Sequence, residues 1–185
     1  MQELKERIQR EGKVLPGNIV KVDGFLNHRV DCALMARIAD EFGRLFDISK
    51  VDLVLTAEAS GIALAAICAY RWGLPMVFAK KAKSDNIEGG LYQSEIYSYT
   101  YKKKVTQILS KEWMTADNHV LIIDDFMANG EAVRGLTELV AQFGILRDGQ
   151  AAIIHQNHGL SAIKLFLDAR YDCLLGFQNF SIGHY

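Results

Sequence analysis

The sequence predicts an α/β fold: an open, mainly parallel sheet flanked by helices, with a flexible antiparallel flap. Three observations carry this. Short apolar runs rich in β-branched residues stand at Val51–Leu55, Pro75–Ala79, Val120–Ile123 and Ala151–Ile154. Apart from Asp52 they are apolar rather than alternating, as strands covered on both faces are. The first and third of them run straight into a small-residue turn and then a helical repeat, the pattern of a parallel βα unit.

Residues 2–11 read as a helix, with Leu4 and Ile8 on one face and Gly12 as the stop. Residues 13–28 are apolar without a clear period, which suggests an irregular segment laid over something else. Asp31–Phe46 is a strongly amphipathic helix: Leu34, Met35, Ile38, Phe42, Leu45 and Phe46 share a face, and Asp31 can cap it. After the strand at 51–55, Thr56-Ala57-Glu58-Ala59-Ser60-Gly61 is a small-residue turn, and Ile62–Trp72 is an apolar helix ending at Gly73. The strand at 75–79 runs into Lys80, Lys81 and Lys83. Residues 84–93 are polar with two glycines and read as mobile. A lysine cluster beside a flexible segment suits an anionic ligand that is covered during reaction, or else is a solvated basic hairpin. Ser94–Thr100 and Val105–Leu109 read as an antiparallel pair around a turn at Lys102–Lys104, with Ile96 on the face opposite Tyr97 and Tyr99. Beyond the strand at 151–154, Leu160–Leu167 reads as a helix and Tyr171–Leu175 as a last strand.

The densest chemistry lies in His119–Leu136, HVLIIDDFMANGEAVRGL. A buried strand ends in Asp124 and Asp125. The turn Phe126-Met127-Ala128-Asn129-Gly130 follows, then a helix carrying Ala132, Val133, Leu136, Leu139, Val140 and Phe143 on its apolar positions. Backbone N–H groups of such a turn and the helix N-terminus can hold a phosphate dianion, and Gly130 lets the backbone come close to it. Like charges exclude the carboxylate pair from that phosphate. Carboxylates accept hydrogen bonds from hydroxyls instead, so the pair suits ribose. A sugar phosphate is the ligand this stretch describes, although an acidic pair ending a strand also occurs as a metal ligand in α/β folds. Glu131 has to turn its carboxylate away from the phosphate for this to hold.

Bulk composition narrows the class. The chain has 185 residues, 50% hydrophobic and 23% charged, enough for one domain with an adequate core. A net charge of −1 gives no global field for nucleic acid. Cys32, Cys68 and Cys173 are widely spaced with no CxxC pair and read as reduced thiols of a cytoplasmic protein. The N-terminal stretch MQELKERIQREG has no apolar signal core, and the longest apolar run, Ile62–Tyr70, is too short to span a bilayer. His155 and His158 are two potential ligands and do not make a metal site; exposed loop histidines are the simpler reading.

The stretch from Val120 to Ala132 resembles the phosphoribosyl-diphosphate (PRPP) motif of type I phosphoribosyltransferases: hydrophobic strand, two acids, three residues, then usually Thr-Gly-x-Thr/Ser. Asn129 and Ala132 replace the usual hydroxyl residues, which is similar to the xanthine branch of that family and its IIDDF-x-ANG-x-A version. Lys21–His28 (KVDGFLNH), Glu58–Gly61 (EASG), Val77–Ser84 (VFAKKAKS) and Ile96–Thr100 (IYSYT) match the same branch in collinear order, to about Ile154.

The resemblance implies residues 1–185 as a single phosphoribosyltransferase domain, with a hood built from about 1–30 and the C-terminal tail. It implies transfer of 5-phosphoribosyl from PRPP to an oxopurine, xanthine first, with release of pyrophosphate. Asp124, Asp125 and Lys81 would be catalytic. Ala128, Asn129, Gly130, Glu131 and Ala132 would bind the 5′-phosphate of PRPP, and Glu58, Ala59, Ser60 and Gly61 its pyrophosphate. Val20 and Asn27 fall where the family contacts the base, Val20 standing for the usual Leu; read alone, Asn27 is a turn residue beside His28. The resemblance further implies Mg²⁺ carried by the substrate rather than by a protein metal site, and a homodimer. Partners would be PRPP and a purine, with no membrane and no nucleic acid.

Two departures bear on specificity. Related enzymes carry a lysine at Gln156, where it bonds the exocyclic oxygen of an oxopurine, and a glutamate at His155. Lysine can only donate; glutamine donates and accepts and discriminates less sharply. Losing one charged hydrogen bond removes roughly 1.5–3 kcal/mol of base binding. The C-terminal tail also matches poorly. The alternatives are a different acceptor, hypoxanthine or guanine among them, and a non-catalytic PRPP-sensing regulator; no winged-helix segment fits ahead of residue 30 to support a DNA-binding version of the latter.

Overall fold

The computed structural model describes residues 1–15, 19–81, 90–98, 103–126, 130–144 and 151–154. A parallel four-stranded sheet lies at its centre, built from β3 (Leu53–Ala57), β4 (Met76–Ala79), β7 (Val120–Ile123) and β8 (Ala151–Ile154) in the order β4-β3-β7-β8. All four expected core strands are present. β3 starts two residues later than its apolar run suggests. Val51 and Asp52 leave a 3₁₀ turn at Ile48–Lys50, while Thr56 and Ala57 extend the strand by pairing with Phe78 and Ala79.

Helices cover both faces of this sheet, which explains the unbroken apolar runs. Side chains alternate along each strand. Val54, Leu121 and Ile123 point toward α2 (Cys32–Leu45) and α3 (Gly61–Trp72), where they meet Leu34, Met35, Ile38, Phe42, Leu64 and Cys68. Leu53, Leu55, Val120 and Ile122 point the other way, onto Leu136, Leu139 and Val140 of α4 (Glu131–Gln142). Asp31 caps α2 as expected, its Oδ1 accepting from the Leu34 N–H at 3.0 Å. Gly73 ends α3 in the left-handed conformation, φ 68°. Burial pushes the Cys68 thiol up, which leaves it an unreactive core group.

The N-terminal segment is more regular than its sequence suggests. α1 (Gln2–Glu11) is followed by a short antiparallel hairpin, β1 (Lys13–Leu15) with β2 (Ile19–Lys21), where no strand is expected. Three-residue strands carry too little alternation to be read from sequence. The apolar residues of this segment divide: Val22, Phe25 and Leu26 are buried against α2, whereas Val14 and Leu15 are exposed. The segment is thus laid over the helical face of the core mainly through its turn, with Val20 of the hairpin packing beside it.

The flap is an antiparallel pair, β5 (Leu91–Ser98) with β6 (Lys103–Ser110). Leu91–Gln93 belong to a strand, not to the irregular polar segment expected there, because Leu91 and Tyr92 pair with Ser110 and Leu109. Likewise Lys103 and Lys104 open β6 instead of lying in a turn. Ile96 is buried and Tyr97 exposed, the alternation the sequence implies. The pair joins the main sheet at one isolated bridge, Lys80 with Ile108, at 2.9 and 2.8 Å. Tyr92 and Phe143 close the remaining gap edge to face, their ring centroids 4.4 Å apart. The expected helix 160–167, the strand 171–175, and His155 and His158 lie outside the described residues.

Candidate active site

Strand order places the site. From β3 the chain crosses through α3 to β4 on one side; β7 then lies on the other side of β3 and continues through α4 to β8. The order reverses between β3 and β7, and ligands of open α/β sheets bind at the carboxyl ends of strands at such a reversal. Glu58, Asp124 and Lys80 are the first residues beyond β3, β7 and β4. Hence the three motifs that are far apart in sequence open onto one edge of the sheet.

Asp124 and Asp125 are both buried. Asp125 is held from two directions: the Ser60 hydroxyl donates to Oδ1 at 2.8 Å, and the Asn27 amide donates to Oδ2 at 3.2 Å. Residues from the first turn and from the hood therefore converge on one carboxylate. Asn27 lies in a turn, as its residue type suggests, and that turn delivers it to Asp125. Asp124 Oδ1 accepts the backbone N–H of Asp125 at 3.0 Å. Burial, reinforced by the neighbouring charge of Asp125, pushes the Asp124 carboxyl well above its usual range, and the positive charge of Lys81 acts in the opposite sense.

That shift has a signed consequence. A carboxyl whose pKa is raised by folding stabilises the fold below its unfolded pKa, and the contribution is lost as pH rises toward the folded value. Asp124→Asn keeps the acceptor for the Asp125 N–H and removes the titration. The variant is therefore expected to gain stability over the wild type progressively as pH is raised from about 4. Denaturant unfolding of both proteins across that range checks it; a constant difference would contradict it.

Backbone geometry around the pair leaves no spare room. A Cβ on Gly61 would lie 2.3 Å from Thr56 Oγ1 and 2.7 Å from Asp124 Oδ1. Thr56 is buried, and its hydroxyl has no partner among the described residues. Among the described residues, no side chain caps either helix that starts at the site. Ser60 precedes α3 but spends its hydroxyl on Asp125, and Gly130 precedes α4 in the left-handed conformation, φ 78°. First-turn N–H groups without a side-chain cap are the donors an anion takes. The Glu58–Ala59 peptide bond is cis. The Glu58 carboxylate accepts the backbone N–H of Lys81, and the Glu58 N–H bonds Ala79 O at 3.0 Å. The turn after β3 and the lysine after β4 are thereby fixed to each other.

Glu131 resolves the one electrostatic objection to a phosphate here. Its carboxylate faces away from the turn, accepting the Tyr97 N–H at 3.0 Å and pairing with Arg134. The Arg134 guanidinium holds it below the usual carboxylate range. Ala132 follows in the first turn of α4. Val20 is half-buried on β2 and packs against the core beside the hood turn. Ala128, Asn129 and Gln156 lie outside the described residues. Sequence reasoning missed Thr56, Arg134 and the bonding of Asn27 and Ser60 to Asp125. Only Arg134 had a signal, its spacing from Glu131 and Glu138, and charged residues at helical spacing read as a solvated face.

The chain belongs to the phosphoribosyl transferase domain family, whose model matches residues 30–183. The central parallel sheet, its covering helices and the attached antiparallel pair are the type I phosphoribosyltransferase fold. It is 43% identical to a xanthine phosphoribosyltransferase of Lactobacillus delbrueckii subsp. bulgaricus, over 92% of this chain and 98% of that protein. A xanthine phosphoribosyltransferase of Lachnoclostridium phytofermentans is 47% identical over 84% of this chain and 80% of its own length. Among solved structures, adenine phosphoribosyltransferase of Saccharomyces cerevisiae superposes with a TM-score of 0.64 at 18% identity, covering 85% of this chain and 89% of the yeast protein.

Proposed function

We propose that the protein transfers the 5-phosphoribosyl group of PRPP to xanthine, giving the nucleoside 5′-monophosphate and pyrophosphate in purine salvage. The observation that carries this is the convergence of Ser60, Asn27 and Asp125 at the sheet's switch point, between two helix N-termini without side-chain caps. The xanthine phosphoribosyltransferases to which the chain is 43–47% identical supply the acceptor.

In this reading the bond from C1′ of the ribose to the pyrophosphate oxygen breaks, and the pyrophosphate leaves with the electron pair. A bond from a purine nitrogen to C1′ forms, and the proton that nitrogen carried in the free base is released to solvent. Positive charge develops on the ribose and negative charge on the leaving group. Asp124 and Asp125 hold the ribose hydroxyls and face the developing cation, while Lys81 and the backbone N–H groups of Glu58–Gly61 receive the pyrophosphate. The backbone of Ala128, Asn129, Gly130, Glu131 and Ala132 anchors the 5′-phosphate. Val20, Asn27 and Gln156 line the base. Asn27 can donate to Asp125 or to a base, so its present bond is one that base binding would exchange. No general base is assigned.

The residues present fit a magnesium ion that arrives with PRPP. Among the described residues no cluster of three or more His, Cys, Asp or Glu side chains is gathered for a metal. Both Asp125 oxygens already accept hydrogen bonds, and an ion that keeps water and phosphate oxygens needs few protein ligands. When bound, it would neutralise charge on the pyrophosphate. The single domain of 1–185, a homodimer and a cytoplasmic location belong to the same proposal. The widely spaced cysteines support the location, and no helix among the described residues is long and apolar enough to cross a membrane.

The acceptor is tested by pyrophosphate release from PRPP and Mg²⁺ with xanthine, hypoxanthine, guanine, adenine and orotate in parallel. Xanthine is expected to give the highest kcat/KM. Gln156→Lys is expected to raise xanthine use over hypoxanthine, because both carry the exocyclic oxygen but a cationic lysine favours the base that ionises more readily. An unchanged ratio would remove Gln156 from the base site, and a wild type that prefers hypoxanthine or guanine would replace the acceptor.

A further inference from the structure

Among the described residues no strand neighbours the outer edge of β5, and side chains of α4 bond it instead. Gln142 accepts the Gln93 N–H at 3.4 Å and donates to Gln93 O at 2.9 Å. Glu138 accepts the Ser94 hydroxyl at 2.6 Å. Glu131 accepts the Tyr97 N–H at 3.0 Å, and Arg134 donates to Glu95 O at 2.8 Å. Arg134 ties these together. Its Nε and Nη2 bond Glu131 at 3.3 and 3.0 Å, and its Nη1 bonds Glu138. Helix and hairpin are also in direct contact, since a Cβ on Gly135 would lie 2.5 Å from Ile96 Cγ2 and 2.2 Å from Gln107 Oε1.

The far side of the hairpin ends at the other half of the site. β6 pairs with β5 along its length, and its Ile108 exchanges two backbone hydrogen bonds with Lys80. Lys81 follows, its N–H bound by Glu58. A continuous hydrogen-bonded path therefore runs from the first turn of α4, through β5 and β6, to Lys81. At one end is the backbone read above as the 5′-phosphate anchor; at the other is the residue read as the pyrophosphate ligand.

We infer that Arg134 is a positioning residue: by clamping β5 to α4 it sets the distance between the 5′-phosphate anchor and Lys81, and so fits the site to the length of PRPP. The kinetic part of this rests on the phosphoribosyl reading; the mechanical part does not. An exposed ion pair is by itself worth little. Arg134 differs because it bonds two carboxylates and a strand carbonyl at once, and rigid elements joined this way carry coupling between sites.

Amide hydrogen exchange on the ligand-free protein tests the strut. Arg134→Met keeps the aliphatic stem and removes every donor, and Arg71→Met, which breaks the surface pair between Arg71 of α3 and Asp40 of α2, is the comparison. In Arg134→Met, exchange at Tyr97, Lys80 and Lys81 is expected to quicken roughly three- to thirtyfold, the range that residues along a coupling network produce; Arg71→Met leaves them unchanged. KM for PRPP rises by a similar factor, KM for the base stays within about twofold, and Arg134→Lys recovers part of the loss because one ammonium replaces a fork of donors. A residue that mattered only for folding would lower the unfolding midpoint and the active fraction without moving KM. Faster exchange at Tyr97 with none at Lys80 and Lys81 would overturn the inference, as would an unchanged KM for PRPP. A wild type that consumes no PRPP would overturn the phosphoribosyl reading instead, and exchange at Lys80 and Lys81 would still decide the strut.

Discussion

Asp125→Asn is expected to lower kcat/KM for PRPP by about two to three orders of magnitude, the loss that follows removal of one preorganised electrostatic group at a reacting centre. Both oxygens of Asp125 are oriented before any ligand arrives, one by Ser60 and one by Asn27. An amide keeps the shape and loses the charge. Its NH₂ must also face one of those two donors, so either the Asn27 amide is repelled or the Ser60 hydroxyl turns to accept. Asp125 is buried, so bulk solvent does not replace the lost partner. Folding is expected to survive, because the substitution removes a buried negative charge beside Asp124. Steady-state kinetics and thermal unfolding on the same preparation separate the two effects. Unchanged PRPP kinetics would mean that the acidic pair does not hold the ribose.

Gly61→Ala is expected to be nearly as damaging through sterics alone. The new methyl has to displace the Thr56 hydroxyl, the Asp124 carboxyl or the first turn of α3, since the contacts of 2.3 and 2.7 Å cannot stand. Overpacking of this kind costs about 1–3 kcal/mol of stability. Alanine favours a helix by up to about 1 kcal/mol over glycine, too little to offset it. The functional loss follows from the shift of Asp124, because displacing a reacting group by about 1 Å can remove roughly a hundredfold in rate. A substitution that left stability and PRPP kinetics intact would show that the turn has room the structure denies it. Serine at Gly61 would separate crowding from polarity, and is expected to behave as alanine does.

Most of the framework was legible in the sequence. The four parallel strands, the capped α2, the apolar α3 and the stop at Gly73 each rest on residues whose period or conformational preference leaves one solution. The site's location followed from two βα units and a lysine cluster, and the sheet order then brought them to one edge. What was not legible came from contacts between distant segments. The β1–β2 hairpin is too short to alternate, and Leu91–Gln93 join β5 by pairing with β6, which the polar residues ahead of them do not signal. Glu131 looked unsuited to a phosphate loop until Tyr97 and Arg134, on a strand and a helical turn away, accounted for its carboxylate. Asn27 carries no local sign of its bond to Asp125, since nothing in residues 21–28 encodes a partner about a hundred positions on. The region of Gln156, where we propose that base specificity is read, lies outside the described residues.

The central claim is chemical, and ³¹P spectroscopy of the protein with PRPP, Mg²⁺ and xanthine tests it most directly. The account predicts that the PRPP resonances are replaced by equal amounts of pyrophosphate and a nucleoside 5′-monophosphate, and that omitting the base stops the change. PRPP that binds and persists in the presence of every purine would contradict it and leave a PRPP sensor in place of a transferase.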